Sequence, residues 1–227
     1  MKSHYLIVVA GGSGTRMGGS IPKQFMLLAG KPVLMHTLEL FALYDPEMLQ
    51  ILVLPANHID YWASLCREFG FELPHKVVAG GENRFRSVRN GLALLKGEGL
   101  VAVHDGVRPL VSIETVRACF ETAEQHGTAV PVVPVTESVR RLSGSDNFAE
   151  DRSLLVAVQT PQVFRLSVLK KGYKQPYDDL FTDDASVVER LGEKIFLTAG
   201  NRENIKLTMP LDFMLAELML AGVDQYQ

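Results

Sequence analysis

The chain has 227 residues, of which 47% are hydrophobic and 22% charged, close to globular averages of roughly 45–50% and 25%, so a largely disordered chain is excluded. At roughly 150 residues per domain, this length fits one domain with an elaboration, and it can bury a core without staples. With 23 Lys plus Arg against 26 Asp plus Glu, the formal net charge is −3. There is no global basic excess to hold nucleic acid, and an anionic ligand must be met by locally clustered cations.

Tyr5–Ala10 is a continuous apolar, partly β-branched run that ends in Gly11-Gly12, as expected for a strand covered on both faces. Pro32–Leu43 reads as a helix, with Val33, Leu34, Leu38 and Phe41 on one stripe. Ile51–Leu54 reads as a strand, His58–Phe69 as a helix and Lys76–Ala79 as a short strand before Gly80-Gly81. Arg84–Lys96 is the next expected helix, and Leu100–Val103 is an apolar strand running into His104-Asp105. Ile113–His126 is expected to be helical with Gly127 as its stop, and Thr128–Pro134 to be a strand.

Strands and helices thus alternate from Tyr5 to about Pro134, the pattern of an α/β sheet with helices on both faces. The rhythm then changes. Val139–Leu142, the turn cluster Ser143–Asn147 and the strand-like Leu154–Gln159 read as a hairpin inserted between sheet elements. Arg165–Lys174 and Asp184–Leu191 are expected helices, Lys194–Thr198 a strand and Leu211–Ala221 a terminal helix. The expectation is one domain over 1–227 with a β-arm at about 136–160.

No apolar run approaches the roughly 18 residues needed to span a bilayer, and Tyr5–Ala10 is too short for a secretory signal. Cys66 and Cys119 show no metal-ligand spacing and read as structural thiols in a reducing compartment. A cytoplasmic setting without membrane or nucleic-acid partners is expected.

The first strand runs into Gly11-Gly12-Ser13-Gly14-Thr15-Arg16-Met17-Gly18, followed by Pro22-Lys23. In open α/β sheets ligands sit beyond the carboxyl ends of strands, and glycines let backbone N–H groups approach phosphate oxygens. Arg16 and Lys23 can neutralise the same phosphates. A phosphate loop of the GxxxxGK[ST] type fails, because Ser20 follows Gly19 where Lys is needed, and a dinucleotide GxGxxG fails at Met17.

His104-Asp105-Gly106-Val107-Arg108-Pro109 follows a central strand. An Asp at that place is suited to hold Mg²⁺ against phosphates; the alternative is a helix cap with Arg108 on the surface. His104 reads as structural. Gly80-Gly81-Glu82-Asn83 at a helix start offers backbone N–H groups to the edge of a base, with Ser87 adding one hydrogen bond. Read alone, however, this stretch favours ordinary capping, with Arg84, Arg86 and Arg89 solvated. Lys206 follows Asn204, Thr182-Asp183-Asp184 looks like a cap, and Ser138, Arg140, Arg141 and Arg152 cluster on the expected hairpin.

The ordered set AGGSGTRMG, PKQF, GKPVLMHTL, GGENRFRSV, VHDGVRP, QTPQVF, TDDAS and NIKLT resembles the 2-C-methyl-D-erythritol 4-phosphate cytidylyltransferases, within the sugar-phosphate nucleotidyltransferases. The resemblance covers about Tyr5 to Leu220. It implies a Rossmann-like fold whose β-arm reaches across a homodimer, and a reaction of CTP with 2-C-methyl-D-erythritol 4-phosphate that releases pyrophosphate. It implies that Gly11, Gly12, Ser13, Gly14, Thr15 and Arg16, with Lys23, surround the CTP triphosphate. Arg16 and Lys23 would be catalytic and Asp105 would bind Mg²⁺. Gly81, Glu82 and Ser87 fall where the family reads cytosine, with Glu82 replacing a common Asp. Arg108 matches the side that faces the substrate diol. Ser138 (in place of a usual Thr), Arg152, Thr160 and Thr182 match positions that hold the substrate phosphate, some from the partner's arm. Lys206 matches a lysine near the phosphates. The rivals are a ribitol-5-phosphate cytidylyltransferase, a nicotinamide-dependent dehydrogenase and a nucleotide-binding regulator without turnover.

Overall fold

A computed structural model describes residues 3–11 and 21–223. The chain opens with β1 (Ser3–Val9), the short pair β2 (Leu27–Leu28) and β3 (Lys31–Pro32), α1 (Val33–Tyr44), β4 (Leu49–Leu54) and α2 (Ile59–Glu68). Next come β5 (Lys76–Ala79), α3 (Arg84–Ala93), β6 (Gly99–Asp105), α4 (Ile113–His126) and β7 (Thr128–Pro134). A hairpin of β8 (Val139–Ser143) and β9 (Asp146–Glu150) precedes β10 (Val156–Val158), β11 (Gln162–Arg165), α5 (Leu166–Gly172) and α6 (Asp184–Glu189). β12 (Leu197–Ala199) and α7 (Pro210–Val223) complete the described chain.

β1 lies near the middle of a sheet ordered β10-β7-β11-β6-β1-β4-β5, with β12 paired to β7. β5, β4, β1 and β6 are mutually parallel. The apolar run of β1 serves two faces. Leu6 and Val8 pack with Leu34, Leu38 and Phe41 of α1 and with Val116 and Phe120 of α4. Tyr5 and Ile7 pack with Phe85, Val88 and Leu92 of α3. This double burial is why the strand reads as unbroken rather than alternating. A smaller cluster of Leu28, Val33, Val107, Leu207 and Phe213 fixes α7 beside β2. Among the described residues no helix is long and apolar enough to cross a membrane.

From β1 the chain steps outward through β4 to β5, then returns to the opposite side of β1 as β6. The order therefore reverses between β1 and β6, where α/β sheets open a crevice at their carboxyl ends. The register brings Val9 opposite Asp105 there. Local chemistry delimits α4. The Ser112 hydroxyl accepts from the Thr115 N–H, and Gly127 ends the helix at φ 93, in the left-handed region that favours glycine.

The mostly parallel α/β architecture agrees with the expectation, which lacks the short β2–β3 pair and differs at two elements near the arm. The hairpin partner of β8 is Asp146–Glu150, whereas Val156–Val158, expected as the second arm strand, pairs antiparallel with β7 in the main sheet. β11 was not anticipated. It inserts antiparallel between β6 and β7, directly after the cis Thr160–Pro161 bond.

Candidate active site

The crevice at the ends of β1 and β6 holds a cavity of about 410 Å³. Gly11, Lys23, Gly81, Glu82, Ser87, Asp105 and Lys206 are all on its wall, so residues from five separate sequence motifs converge there. Gly12, Ser13, Gly14, Thr15 and Arg16 lie outside the described residues.

Lys23 opens a single 3-10 turn, Lys23–Phe25. Gln24 donates from Nε2 to the Ala10 carbonyl at 2.9 Å. The Phe25 ring meets His58 and Tyr61 edge-on and stacks with Trp62. The turn is thus rooted in the core, and its lysine is left at the end of β1.

On the opposite wall, Ser87 builds the glycine turn. Its hydroxyl accepts from the Gly81 N–H at 3.1 Å and donates to the Asn83 carbonyl at 2.9 Å. The Asn83 side chain caps α3 by accepting from the Arg86 N–H. A Cβ on Gly81 would fall 2.4 Å from the Arg86 Cβ, so only glycine fits. Glu82 is 81% exposed and pairs with Arg86 at 3.4 Å, which puts its carboxylate on the rim.

Asp105 is the electrostatic centre. Lys206 Nζ lies 2.9 Å and Arg108 Nε 3.4 Å from its Oδ2, and Arg84 Nε lies 4.0 Å from Oδ1. Burial opposes ionisation, but Lys206, Arg84 and Arg108 outweigh it and hold the carboxyl well below the ordinary range. Arg108 also donates to the Asn204 carbonyl at 2.6 Å, tying the turn after β6 to the segment that carries Lys206. Burial works against the Arg84 charge as well; Asp184 and Asp105 outweigh it and keep the guanidinium protonated. Arg84, read from sequence as solvated, is instead a wall residue bound to the buried Asp184. Only its long-range partner would have revealed this.

Beneath Asp105 runs a hydrogen-bond chain with fixed direction. The Asp105 N–H donates to Thr160 Oγ1 at 3.1 Å, and that hydroxyl lies 3.1 Å from His104 Nδ1. His104 Nε2 is 3.0 Å from the Arg108 carbonyl, which can only accept, so Nε2 carries the proton and Nδ1 accepts from Thr160. Burial lowers the His104 pKa to about 4, keeping the ring neutral. The sign of the consequence follows. Between about pH 6.5 and pH 4 the unfolded chain binds the extra proton. Stability therefore falls as pH is lowered through that window, by up to about 3 kcal/mol for His104. Asp105, with its depressed value, adds further loss below its unfolded pKa of about 3.9. The urea midpoint is expected to drop between pH 7.5 and pH 4.5; an unchanged midpoint would contradict a neutral buried His104.

The remaining expected positions sit elsewhere. Arg108 lies behind Asp105 rather than on the cavity wall, and the Thr160 hydroxyl is engaged beneath it. Thr182 is exposed just before α6, whose N-cap is Asp183. Ser138 and Arg152 are exposed near the hairpin, with Arg152 bonded to the Thr136 carbonyl. Neither is on this chain's cavity wall. Cys66 and Cys119 are free thiols, the latter buried. Burial pushes the Cys119 pKa up to about 11, as expected for a structural cysteine.

Comparison with known proteins points to the same family as the ordered motifs. The family model described as 2-C-methyl-D-erythritol 4-phosphate cytidylyltransferase matches residues 4–222. Proteins of that name from Porphyromonas gingivalis and Phocaeicola vulgatus are 54% and 52% identical to the chain. The first alignment covers 97% of this chain and 99% of the relative, the second 96% and 100%. The crystal structure of 4-diphosphocytidyl-2C-methyl-D-erythritol synthase from Anaerococcus prevotii superposes with a TM-score of 0.82 over 97% of this chain and 99% of that one. Its 24% identity speaks for the fold. Shared fold, ordered motifs and full-length identity place the chain in the 2-C-methyl-D-erythritol 4-phosphate cytidylyltransferase family.

Proposed function

We propose that the protein transfers a cytidylyl group from CTP to 2-C-methyl-D-erythritol 4-phosphate. The products are 4-diphosphocytidyl-2-C-methyl-D-erythritol and pyrophosphate, in non-mevalonate isoprenoid synthesis. The observation that carries this reading is the cavity at the β1/β6 switch point, whose wall brings Lys23 and Lys206 together beside Asp105. Such a cation cluster suits a polyanionic nucleotide.

The substrate phosphate oxygen attacks the α-phosphorus in line with the departing pyrophosphate. A phosphate monoester has a second pKa of about 6, so the nucleophile is already anionic near neutrality and no general base is required. The barrier is the approach of two polyanions. Fixed cations lower it by meeting charge where it develops. In this assignment Gly11 to Arg16 and Lys23 surround the triphosphate, with Lys206 beside it, and Gly81, Glu82 and Ser87 frame cytosine. Arg108 orients the turn that faces the substrate diol. Thr182, with Ser138 and Arg152 from a second copy, serves the substrate phosphate, while the Thr160 hydroxyl supports Asp105 from beneath.

The homodimer is supported by apolar exposure around the arm. Leu142 and Leu154 are 81% and 82% exposed, and Phe148, Val156 and Val158 are exposed beside them. Such a patch is expected where another protein surface docks. The free thiols Cys66 and Cys119 suit a reducing, cytoplasmic setting.

The donor set for Mg²⁺ is a single buried carboxylate, Asp105. No cluster of three or more His, Cys, Asp or Glu suited to a metal occurs among the described residues. That fits a cation that takes its other ligands from phosphate and water rather than from an all-protein cage. When bound, the ion would be held by Asp105 and would add charge neutralisation at the phosphates.

The test is pyrophosphate release with CTP and Mg²⁺, offering 2-C-methyl-D-erythritol 4-phosphate and ribitol 5-phosphate in parallel. Turnover with the first alone is expected. Turnover with ribitol 5-phosphate alone would keep the nucleotide site and overturn the assignment of the acceptor.

A further inference from the structure

Asp184 is fully buried, and none of the nucleotide contacts above uses it. Both of its oxygens are occupied. Oδ2 accepts from Arg84 Nη2 at 2.5 Å, and Oδ1 accepts from the Tyr173 hydroxyl at 2.5 Å. Its own segment is fixed on every side. Asp183 and Ser186 form a reciprocal capping box at the start of α6. Gln162 of β11 donates to Asp183 Oδ2 and accepts from the Ala185 N–H, both at 2.8 Å. The Tyr173 ring stacks on Phe85, the residue after Arg84. Arg84 is the first residue of α3, next to the cap Asn83. One carboxylate thereby joins the first residues of two helices, α6 and α3.

From this anchor Arg84 reaches the cavity wall and comes within 4.0 Å of Asp105 Oδ1. Lys206 and Arg108 approach the other oxygen, Oδ2. Asp105 is thus held from two directions, and Arg84 supplies the only cation recorded on its Oδ1 side among the described residues. A buried ion pair is a poor source of net stability compared with apolar packing of the same volume. Its geometric effect here is to aim one guanidinium.

We propose that Arg84, aimed by Asp184 and Tyr173, is a positioning residue that fixes the Asp105 carboxylate between the base-facing turn and the phosphate-facing cations. The inference rests on the cytidylyltransferase reading. It connects the GGENRFRSV, QTPQVF and TDDAS segments physically: Arg84 bonds Asp184, and Gln162 braces the residues on either side of it.

The experiment compares the parent with R84M, D184N, the double variant R84M/D184N and Y173F. Thermal unfolding, CTP KM and kcat are measured for each. Each single variant of the ion pair strands a buried polar partner and is expected to lower Tm. The double variant carries neither charge and is expected to recover most of that loss. Stability returns in the double variant, but rate does not. R84M and R84M/D184N are expected to lose roughly 10- to 100-fold in kcat, with CTP KM within about threefold of the parent, as for a small misplacement of a reacting constellation. Y173F keeps the ion pair and is expected to fold, losing only a few-fold in kcat. A stable double variant with kcat within twofold of the parent would reduce the pair to a structural element and overturn the proposal. A large rise in CTP KM with kcat intact would also overturn it, making Arg84 a nucleotide contact instead. Absence of pyrophosphate release by the parent itself would strike the functional reading, and this inference with it.

Discussion

Replacing Lys23 by alanine is expected to lower kcat by about 10²–10³, by analogy with losing one preorganised donor from a charge-stabilising site, and to change CTP KM far less. The reason is the kind of barrier. With an anionic nucleophile already available, catalysis rests on cations whose charge is felt most strongly as the pyrophosphate departs. Lys23 is suited to this because its turn is immobilised by Gln24 on the Ala10 carbonyl and by Phe25 in an aromatic nest. The backbone that carries its ammonium is therefore fixed before the reaction. Its charge also reaches Asp212, whose carboxyl is held low by hydrogen bonds from Thr208 and Met209, against burial, with Lys23 contributing. Lys23→Arg is expected to restore only part of the rate, because a planar fork cannot replace a compact ammonium on the same stem. Arg16→Ala, in the glycine loop, is expected to act in the same direction. Steady-state kinetics with varied CTP separates the two constants, and near-normal kcat in Lys23→Ala would remove this residue from the catalytic machinery.

What could be read in advance, and what could not, follows from sequence distance. Gly11, Lys23, Gly81 and Asp105 stand at strand ends in short, recognisable strings, and strand ends are where open α/β sheets collect ligands. Their convergence on one cavity was therefore legible. The pairing of Asp105 with Lys206 was not, because each was read only toward the ligand and their partnership spans a hundred residues of chain. Arg84 illustrates the same limit. Beside a helix cap it looks like any solvated first-turn cation, and only the folding of α6 against α3 supplies the buried Asp184. Thr160 was read toward the substrate phosphate, yet its hydroxyl is engaged by Asp105 and His104.

The misread strands have compositional causes. Asp146–Glu150 (DNFAE) is rich in residues depleted from strands, so the more apolar Leu154–Gln159 looked like the better partner for Val139–Leu142. The turn falls inside the expected Ser143–Asn147 cluster, where Gly144 at φ 60 closes the hairpin, but Asp146 and Asn147 already belong to β9. β11 follows a proline and contains only four residues, Gln-Val-Phe-Arg. A proline beside so short a run argues against a central strand on local grounds. Tertiary context overrides that, since Val163 and Phe164 are fully buried between β6 and β7.

Asp105→Asn is expected to move binding and turnover in opposite directions. In the folded chain this carboxylate neutralises part of the charge of Lys206, Arg108 and Arg84. Removing it leaves the cavity one unit more positive without deleting a cation. For a phosphate charge on the order of 5 Å away, one unit of repulsion amounts to roughly 3 kcal/mol at an effective dielectric of 20, less after screening. Metal-free CTP is therefore expected to bind at least about threefold more tightly to the variant, measured by calorimetry in the presence of a chelator. Turnover with Mg²⁺ is expected to fall by roughly 10²-fold or more, because the buried anionic oxygen donor suited to a nucleotide-borne cation becomes a neutral amide oxygen. Asparagine keeps the backbone N–H that donates to Thr160, so the chain through His104 remains intact and the comparison isolates the charge. If metal-free CTP instead binds more weakly, the carboxylate is needed to order its cations, and the electrostatic argument fails. If binding tightens while turnover stays normal, Asp105 is a charge balance only, and the Mg²⁺ assignment falls.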